Sequence, residues 1–326
     1  MLAFGVLGAA AITPRALIYP CVDEPKAHIR AIAARDKNRA SVVADWARIP
    51  DVEDDYQAVI DNPKVNVIYI PLPITGHHEW TLKALAAGKH VLCEKSLAAN
   101  EAEALEMSDA AKSAGLVLME AFHYRYHSVF RRAKEILNSG GIGAIREVSA
   151  GFCMKGPPPA DDIRMQYETG GGTTMDLGCY PISWVRHLLD EEPEEVSAVA
   201  TEGPPDVDLT LNAEMKFSSG VVAHTRGGMG PDSSYEMSFT VTGEKGTLHV
   251  EQPLVPQIGH SIEVTLGEDV SKEICDRRST YGYQLDAFID AVEEGAPLFT
   301  DADDAVKQMA LIDRCYRAAG MRLRGE

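Results

Sequence analysis

Three stretches of this 326-residue chain gather side chains that could act on a small molecule: a turn of small residues at 8–13, the pair Glu94-Lys95, and the pair Asp176 and Tyr180. The turn, Gly8-Ala9-Ala10-Ala11-Ile12-Thr13, follows a short apolar run. Small side chains there let backbone N–H groups and a helix N-terminus come close to a pyrophosphate, which makes Gly8, Ala10, Ala11 and Ile12 candidate contacts for a dinucleotide. Of the three glycines in G-x-G-x-x-G only Gly8 is present, so the same residues also fit a plain strand-to-helix turn.

A second apolar run ends in Ala33-Ala34-Arg35-Asp36. An acid at that point would bond the ribose hydroxyls of NAD, whereas Arg35 puts a guanidinium where an extra 2′-phosphate would sit, which favours NADP over NAD. In the alternative, Arg35 is a solvated helix-start residue and Asp36 bonds the ribose. Lys95 falls just after the carboxyl end of a fourth candidate strand, the edge of an open parallel sheet at which ligands bind. Lysines more often decorate a surface, so the position alone does not assign a role. Asp176 and Tyr180, four residues apart, would share one face of a helix, although the aspartate could equally cap a helix start and the tyrosine could belong to a core.

The elements that must position these groups are readable from periodicity. Short apolar runs at 2–7, 28–34, 65–70, 90–93 and 116–119 alternate with helical stretches at 14–19, 38–46, 54–60, 78–87 and 101–113, the pattern of a parallel sheet built from βαβ units. Thr13-Pro14 offers an N-cap with proline at N1, Asn100 with Glu103 makes an N-x-x-E box, and Gly88 and Gly115 stand where helices end. After residue 120 the texture changes. A helix at 129–137, a strand at 145–152, a Pro-rich loop at 156–159 and a Gly-rich turn at 170–172 precede strand-like segments across 196–266 and two closing helices at 283–293 and 302–319. The expected fold is α/β: an N-terminal Rossmann doubly wound parallel sheet over 1–120, and a C-terminal α/β domain over 121–326 with a large open, mostly antiparallel sheet. An open sheet covered on one side asks for a partner on the other, so a homodimer or homotetramer is expected.

A formal charge of −18 disfavours nucleic acid. No apolar run reaches the roughly 18 residues of a membrane span, and no basic region precedes the first apolar stretch. Six scattered cysteines without a C-x-x-C pair argue against a zinc site or a disulfide framework and fit reduced thiols in the cytoplasm; no metal is expected.

Taken together, Ile68-Tyr69-Ile70-Pro71-Leu72-Pro73, His77, the strip from Gly88 to Lys95, Glu120-Ala121-Phe122 with Arg125, and Gly171-Gly172 with Asp176-Leu177-Gly178-Cys179-Tyr180 resemble the glucose-fructose oxidoreductase / inositol dehydrogenase family of NAD(P)-dependent oxidoreductases. The closing Leu285-Asp286-Ala287-Phe288 extends the likeness over nearly the whole chain. Its nearest texture is that of NADP-using aldose or trans-dihydrodiol dehydrogenases, which implies a polyhydroxylated small-molecule substrate. The resemblance implies that Lys95 is the catalytic lysine and Tyr180 the acid/base, with Asp176 beside it, and that Pro71, Pro73, His77, Glu94 and Lys95 line the cofactor. Oxidation of an alcohol requires a base for its proton, and a phenol of pKa about 10 serves only when a nearby ammonium favours its anion. On this reading an ammonium and a phenol meet at one nicotinamide face, while His123 and Arg164 are candidate contacts for substrate hydroxyls, or merely solvated. Two departures stand out: Ser96 replaces the family proline after the lysine, which leads us to expect a trans peptide there, and Ile74 replaces an asparagine. They motivate an alternative, a catalytically silent NADP-sensing regulatory protein of the same fold.

Overall fold

The computed structural model describes residues 1–326 and divides into two compact units, Met1–His123 with Tyr281–Lys307, and Tyr124–Thr280 with Gln308–Glu326. In the first unit β1 (Leu2–Leu7), β2 (Ala27–Ala33), β3 (Asp51–Val52), β4 (Val67–Ile70), β5 (His90–Cys93) and β6 (Leu118–Glu120) form one parallel sheet in the order β3-β2-β1-β4-β5-β6. Every residue of β1 and β4 is buried, as expected of strands covered on both faces. The connecting helices are α1 (Tyr19–Asp23), α2 (Lys37–Ala47), α3 (Tyr56–Asp61), α4 (His77–Ala86) and α5 (Glu101–Ala114). Strand order reverses between β1 and β4, and it is at the carboxyl ends of such a pair that a crevice opens.

Local signals largely hold in this unit. The Asn100 side chain accepts from the Glu103 N–H at 3.0 Å, Gly115 takes φ +64° after α5, and Gly88 takes +75° after α4. Two differences have physical causes. The edge strand β3 is two residues long, too short to show periodicity. Residues 281–307 return to the first unit rather than staying with the second, because the helix Thr280–Glu294 buries Leu285 and Phe288, the latter 6.0 Å from the ring of Phe4.

In the second unit β7 (Ile145–Cys153), β8 (Glu195–Glu202), β9 (Asp208–Lys216), β10 (Val222–Gly228), β11 (Glu236–Gly243), β12 (Thr247–Glu251), β13 (Ser261–Leu266) and β14 (Asp269–Glu273) form a sheet ordered β14-β13-β12-β11-β7-β10-β9-β8. Only β7 and β10 pair in parallel. One face is apolar and carries α6 (Ser128–Asn138) and α7 (Cys179–Leu189), with Phe130 and Trp184 against Phe239. The alternate positions are polar: the register aligns Glu214, His224, Ser149, Thr240, His249 and Glu263 in one row across six neighbouring strands.

Candidate functional site

At the end of β1 the chain turns on Gly8, whose φ of +120° suits glycine alone; a methyl there would stand 3.3 Å from Leu72 Cδ2. The helix that follows begins as a five-residue π-turn, Pro14–Ile18, before settling into α1. Pro14 occupies the expected first position, but Thr13 is not the N-cap. Its backbone is already helical (φ −49°, ψ −42°), and its buried hydroxyl has no hydrogen-bond partner. The start of this helix therefore has no side-chain acceptor from Thr13, the condition in which backbone N–H groups can receive an external anion.

At the end of β2, the Asp36 carboxylate accepts from the Asn38 N–H at 3.0 Å and so caps α2. Asp36 is thereby engaged in structure, while Arg35 is exposed. One helical turn on, Arg39, which sequence reasoning missed, donates from Nη2 to the Ala9 carbonyl at 2.9 Å and ties α2 to the first turn. Its only signal in the sequence was the four-residue spacing from Arg35. A positive-φ glycine packed close against Leu72, a helix start without a side-chain cap, and two arginines after β2 together fit a phosphorylated dinucleotide.

The Glu94-Lys95 strip leaves β5 at the same sheet edge. Glu94 is 8% exposed, and its Oε1 accepts from the Tyr69 hydroxyl at 2.7 Å. Burial, and secondarily the charge of Glu94, push that phenol well above its ordinary range, so Tyr69 stays protonated as a donor. The Lys95–Ser96 peptide is cis, which corrects the expectation of a trans bond from the missing proline. Contacts on either side fix this segment in place of a pyrrolidine ring. The Ser96 carbonyl lies 2.9 Å from His77 Nδ1, and the Leu97 N–H donates to Glu120 Oε1 at 2.7 Å.

His77, expected beside the cofactor, is fully buried, and its Nε2 lies 2.8 Å from the Leu72 carbonyl. The neutral imidazole has a single N–H, so it donates to one of these two carbonyls and packs its other nitrogen beside the second, joining the end of β4 to the end of β5. Burial lowers its pKa from the ordinary 6.5, with the backbone carbonyls opposing. Pro71 is buried and Pro73 half-buried along the same loop. His123 falls in the first unit rather than the second, 3% exposed, with its ring centroid 4.0 Å from that of Tyr281. It packs as an aromatic.

In the second unit Gly172, at φ +119°, precedes another five-residue π-turn, Thr174–Gly178, which runs into α7. Asp176 lies in the π-turn and Tyr180 in the first turn of α7. Asp176 does not cap the helix. Its Oδ2 accepts from Arg164 Nε at 2.6 Å, while Arg164 Nη1 reaches both oxygens of Asp162 at 3.2 Å. The Asp176 charge raises the guanidinium pKa and keeps Arg164 ionised. Two residues expected separately are therefore one ion pair. Tyr180 is 6% exposed, its ring edge-on to Phe152 at 5.7 Å and to Tyr124 at 6.3 Å. The Tyr124 hydroxyl is in turn 2.8 Å from Ser183 Oγ and 3.0 Å from His187 Nδ1.

The chain is similar to known proteins over most of its length. Residues 2–122 match the model described as an oxidoreductase family with an NAD-binding Rossmann fold, and residues 130–249 match the GFO/IDH/MocA C-terminal domain. A D-xylose 1-dehydrogenase (NADP(+)) of Haloferax volcanii is 35% identical over 97% of each chain. A trans-1,2-dihydrobenzene-1,2-diol dehydrogenase of Mus musculus is 34% identical over 69% of this chain and 67% of its own. Among solved structures, a 3-ketoreductase of Actinomadura kijaniata in complex with NADP and TDP-benzene superposes with a TM-score of 0.91 at 29% identity, covering 97% of both chains.

Proposed function

The chain belongs to the GFO/IDH/MocA oxidoreductase family, and from that premise we propose that it transfers a hydride between NADP and a carbinol or carbonyl carbon of a sugar or cyclic diol. The observation that carries the cofactor choice is the arrangement after β2, where Asp36 is consumed as a helix cap and Arg35 and Arg39 remain for a 2′-phosphate. Bound NADP supplies the nicotinamide carbon that gives or takes the hydride. Gly8, Ala10, Ala11 and Ile12 hold the pyrophosphate turn, with Pro71, Pro73 and Glu94 lining the same sheet edge. His77 serves there by holding backbone, since its nitrogens are already engaged.

Lys95 keeps the reacting oxygen polarised, and Tyr180 exchanges its phenolic proton with that oxygen. Asp176, through Arg164, presents guanidinium N–H groups to substrate hydroxyls. Relatives named for D-xylose and for a trans-dihydrodiol support a polyhydroxylated substrate. The polar open face of the second sheet suits association with a second copy as a homodimer or homotetramer, and six unbridged cysteines suit the cytoplasm.

The experiment is turnover with NADP and with NAD on a panel of aldoses and trans-diols, followed at the reduced-nicotinamide absorbance. The expected result is activity with NADP that falls about 100- to 10,000-fold in Lys95→Ala, with NADP binding retained. Absence of turnover across the panel, with Lys95→Ala behaving as the parent, would remove the enzymatic reading.

A further inference from the structure

Asp208 and Arg324 form an ion pair 2.7 Å long in which neither side chain has any exposed surface. Burying two charges is expensive unless the remaining bonds are well made, so the destinations of those bonds are informative. Asp208 Oδ2 accepts from the Thr174 N–H at 2.7 Å and from the Thr174 hydroxyl at 2.6 Å, while Oδ1 accepts from Arg324 and from the Tyr316 hydroxyl at 3.0 Å. Arg324 Nε donates to the Gly171 carbonyl at 2.7 Å. The pair thus closes on one point, the glycine turn and the first residue of the π-turn.

Space is equally specific there. A methyl on Gly172 would lie 2.1 Å from Asp208 Oδ1 and 2.7 Å from Arg324 Nη2, so the turn can approach the pair only with glycine. The Gly172 N–H donates to the Arg164 carbonyl at 2.9 Å, and the Gly171 N–H to the Gln166 carbonyl at 2.9 Å. The same knot therefore holds the backbone of Arg164 and the start of the segment that presents Asp176 and, two residues past its end, Tyr180.

We infer that Asp208, Arg324 and Tyr316 are positioning residues for the reaction: through Thr174 and Gly171 they set the orientation of the Asp176–Tyr180 segment without touching substrate. The inference rests on the proposed acid/base role of Tyr180. Errors of about an ångström in placing a reacting group cost on the order of a hundredfold in rate, whereas loss of folded protein lowers rate and cofactor-binding capacity together.

The test measures kcat per NADP-binding site, counted by cofactor titration, and KM for the best substrate of the panel, in Arg324→Met, Arg324→Lys, Tyr316→Phe and Tyr180→Phe. We expect about a hundredfold lower kcat per site in Arg324→Met, with NADP affinity unchanged. Partial recovery is expected in Arg324→Lys, and about a tenfold loss in Tyr316→Phe, which removes one hydrogen bond and leaves the ion pair in place. If Arg324→Met does not fold, the two milder variants decide. Parental kcat per site in both, beside an inactive Tyr180→Phe, overturns the inference alone. Full activity of Tyr180→Phe overturns the acid/base reading and the inference with it.

Discussion

The two units contain the same local device and use it oppositely. Gly8 and Gly172 adopt φ of +120° and +119°, and each is followed by a five-residue π-turn that runs into an α-helix. At Thr174 the helix start is filled by the protein's own carboxylate, Asp208, which takes both the N–H and the hydroxyl. In the first unit the corresponding first residue is Pro14, which has no N–H; the preceding threonines, Thr13 and Thr173, are alike in making no side-chain cap and leaving a buried hydroxyl without a partner, so the difference between the turns is the Asp208 carboxylate. A helix N-terminus attracts anions by its exposed N–H groups and its dipole, whichever molecule supplies the charge. Where the chain supplies the acid, the turn is a structural joint. Where it does not, the helix start has no acid of its own, the condition on which the proposed cofactor seat rests.

The sharpest way to break this contrast is to strip the ligand side. Arg35→Ala combined with Arg39→Ala should raise the KM for NADP about a hundredfold, since hydrogen bonds to charged groups are each worth about 1.5–3 kcal/mol. The melting temperature of the free protein should hardly move, because Arg35 is exposed and the single Arg39 bond is to a surface carbonyl. Steady-state kinetics with NADP and NAD, beside a melting curve, checks both halves; an equal rise for the two cofactors would mean that the arginines do not read the 2′-phosphate.

A paired substitution compares a threonine hydroxyl bonded to Asp208 with one that has no partner. Thr174→Val removes a buried bond to a charged oxygen and should cost about 1.5–3 kcal/mol, whereas Thr13→Val exchanges an unbonded buried hydroxyl for a methyl and should be neutral or slightly stabilising. Denaturant titration of the two proteins gives the difference. Equal losses would mean that the Asp208 bond to the Thr174 hydroxyl adds nothing to stability.

The smallest effect is acid sensitivity. His77 has a folded pKa below the ordinary 6.5, so the unfolded chain binds its proton more readily and stability falls as pH drops through about 6.5. Burial shifts His127 of the second unit in the same direction. His77→Gln should therefore flatten the slope of stability against pH between neutral and mildly acid conditions without abolishing it. An unchanged slope would indicate that the imidazole is protonated in the folded state.

Much of this was legible in the sequence where the determinants are local. Continuous apolar runs gave the parallel strands, Asn100 and Gly115 marked the ends of α5, and the clustered motifs pointed to the family. What escaped reading depends on distance or on backbone detail. A π-turn has the same composition as an α-turn, so the beginnings of both helices looked ordinary. Thr13 carried a capping residue's identity without its geometry. Asp208 and Arg324 are 116 positions apart and look like surface charges, and nothing in their surroundings announces that both are buried. The Arg164–Asp176 pair was closer, twelve positions apart, but lies across a loop without regular spacing.

The imidazole of His77 has one more implication. The Leu72 side chain stands 3.3 Å from where a Cβ on Gly8 would lie, and from the Leu72 carbonyl contacts run through His77 to the carbonyl of Ser96, the residue that follows Lys95. A side chain at position 8 would press on Leu72 and, through it, on the backbone next to Lys95. On the proposed roles, a substitution at position 8 would alter the setting of Lys95 as well as the cofactor seat.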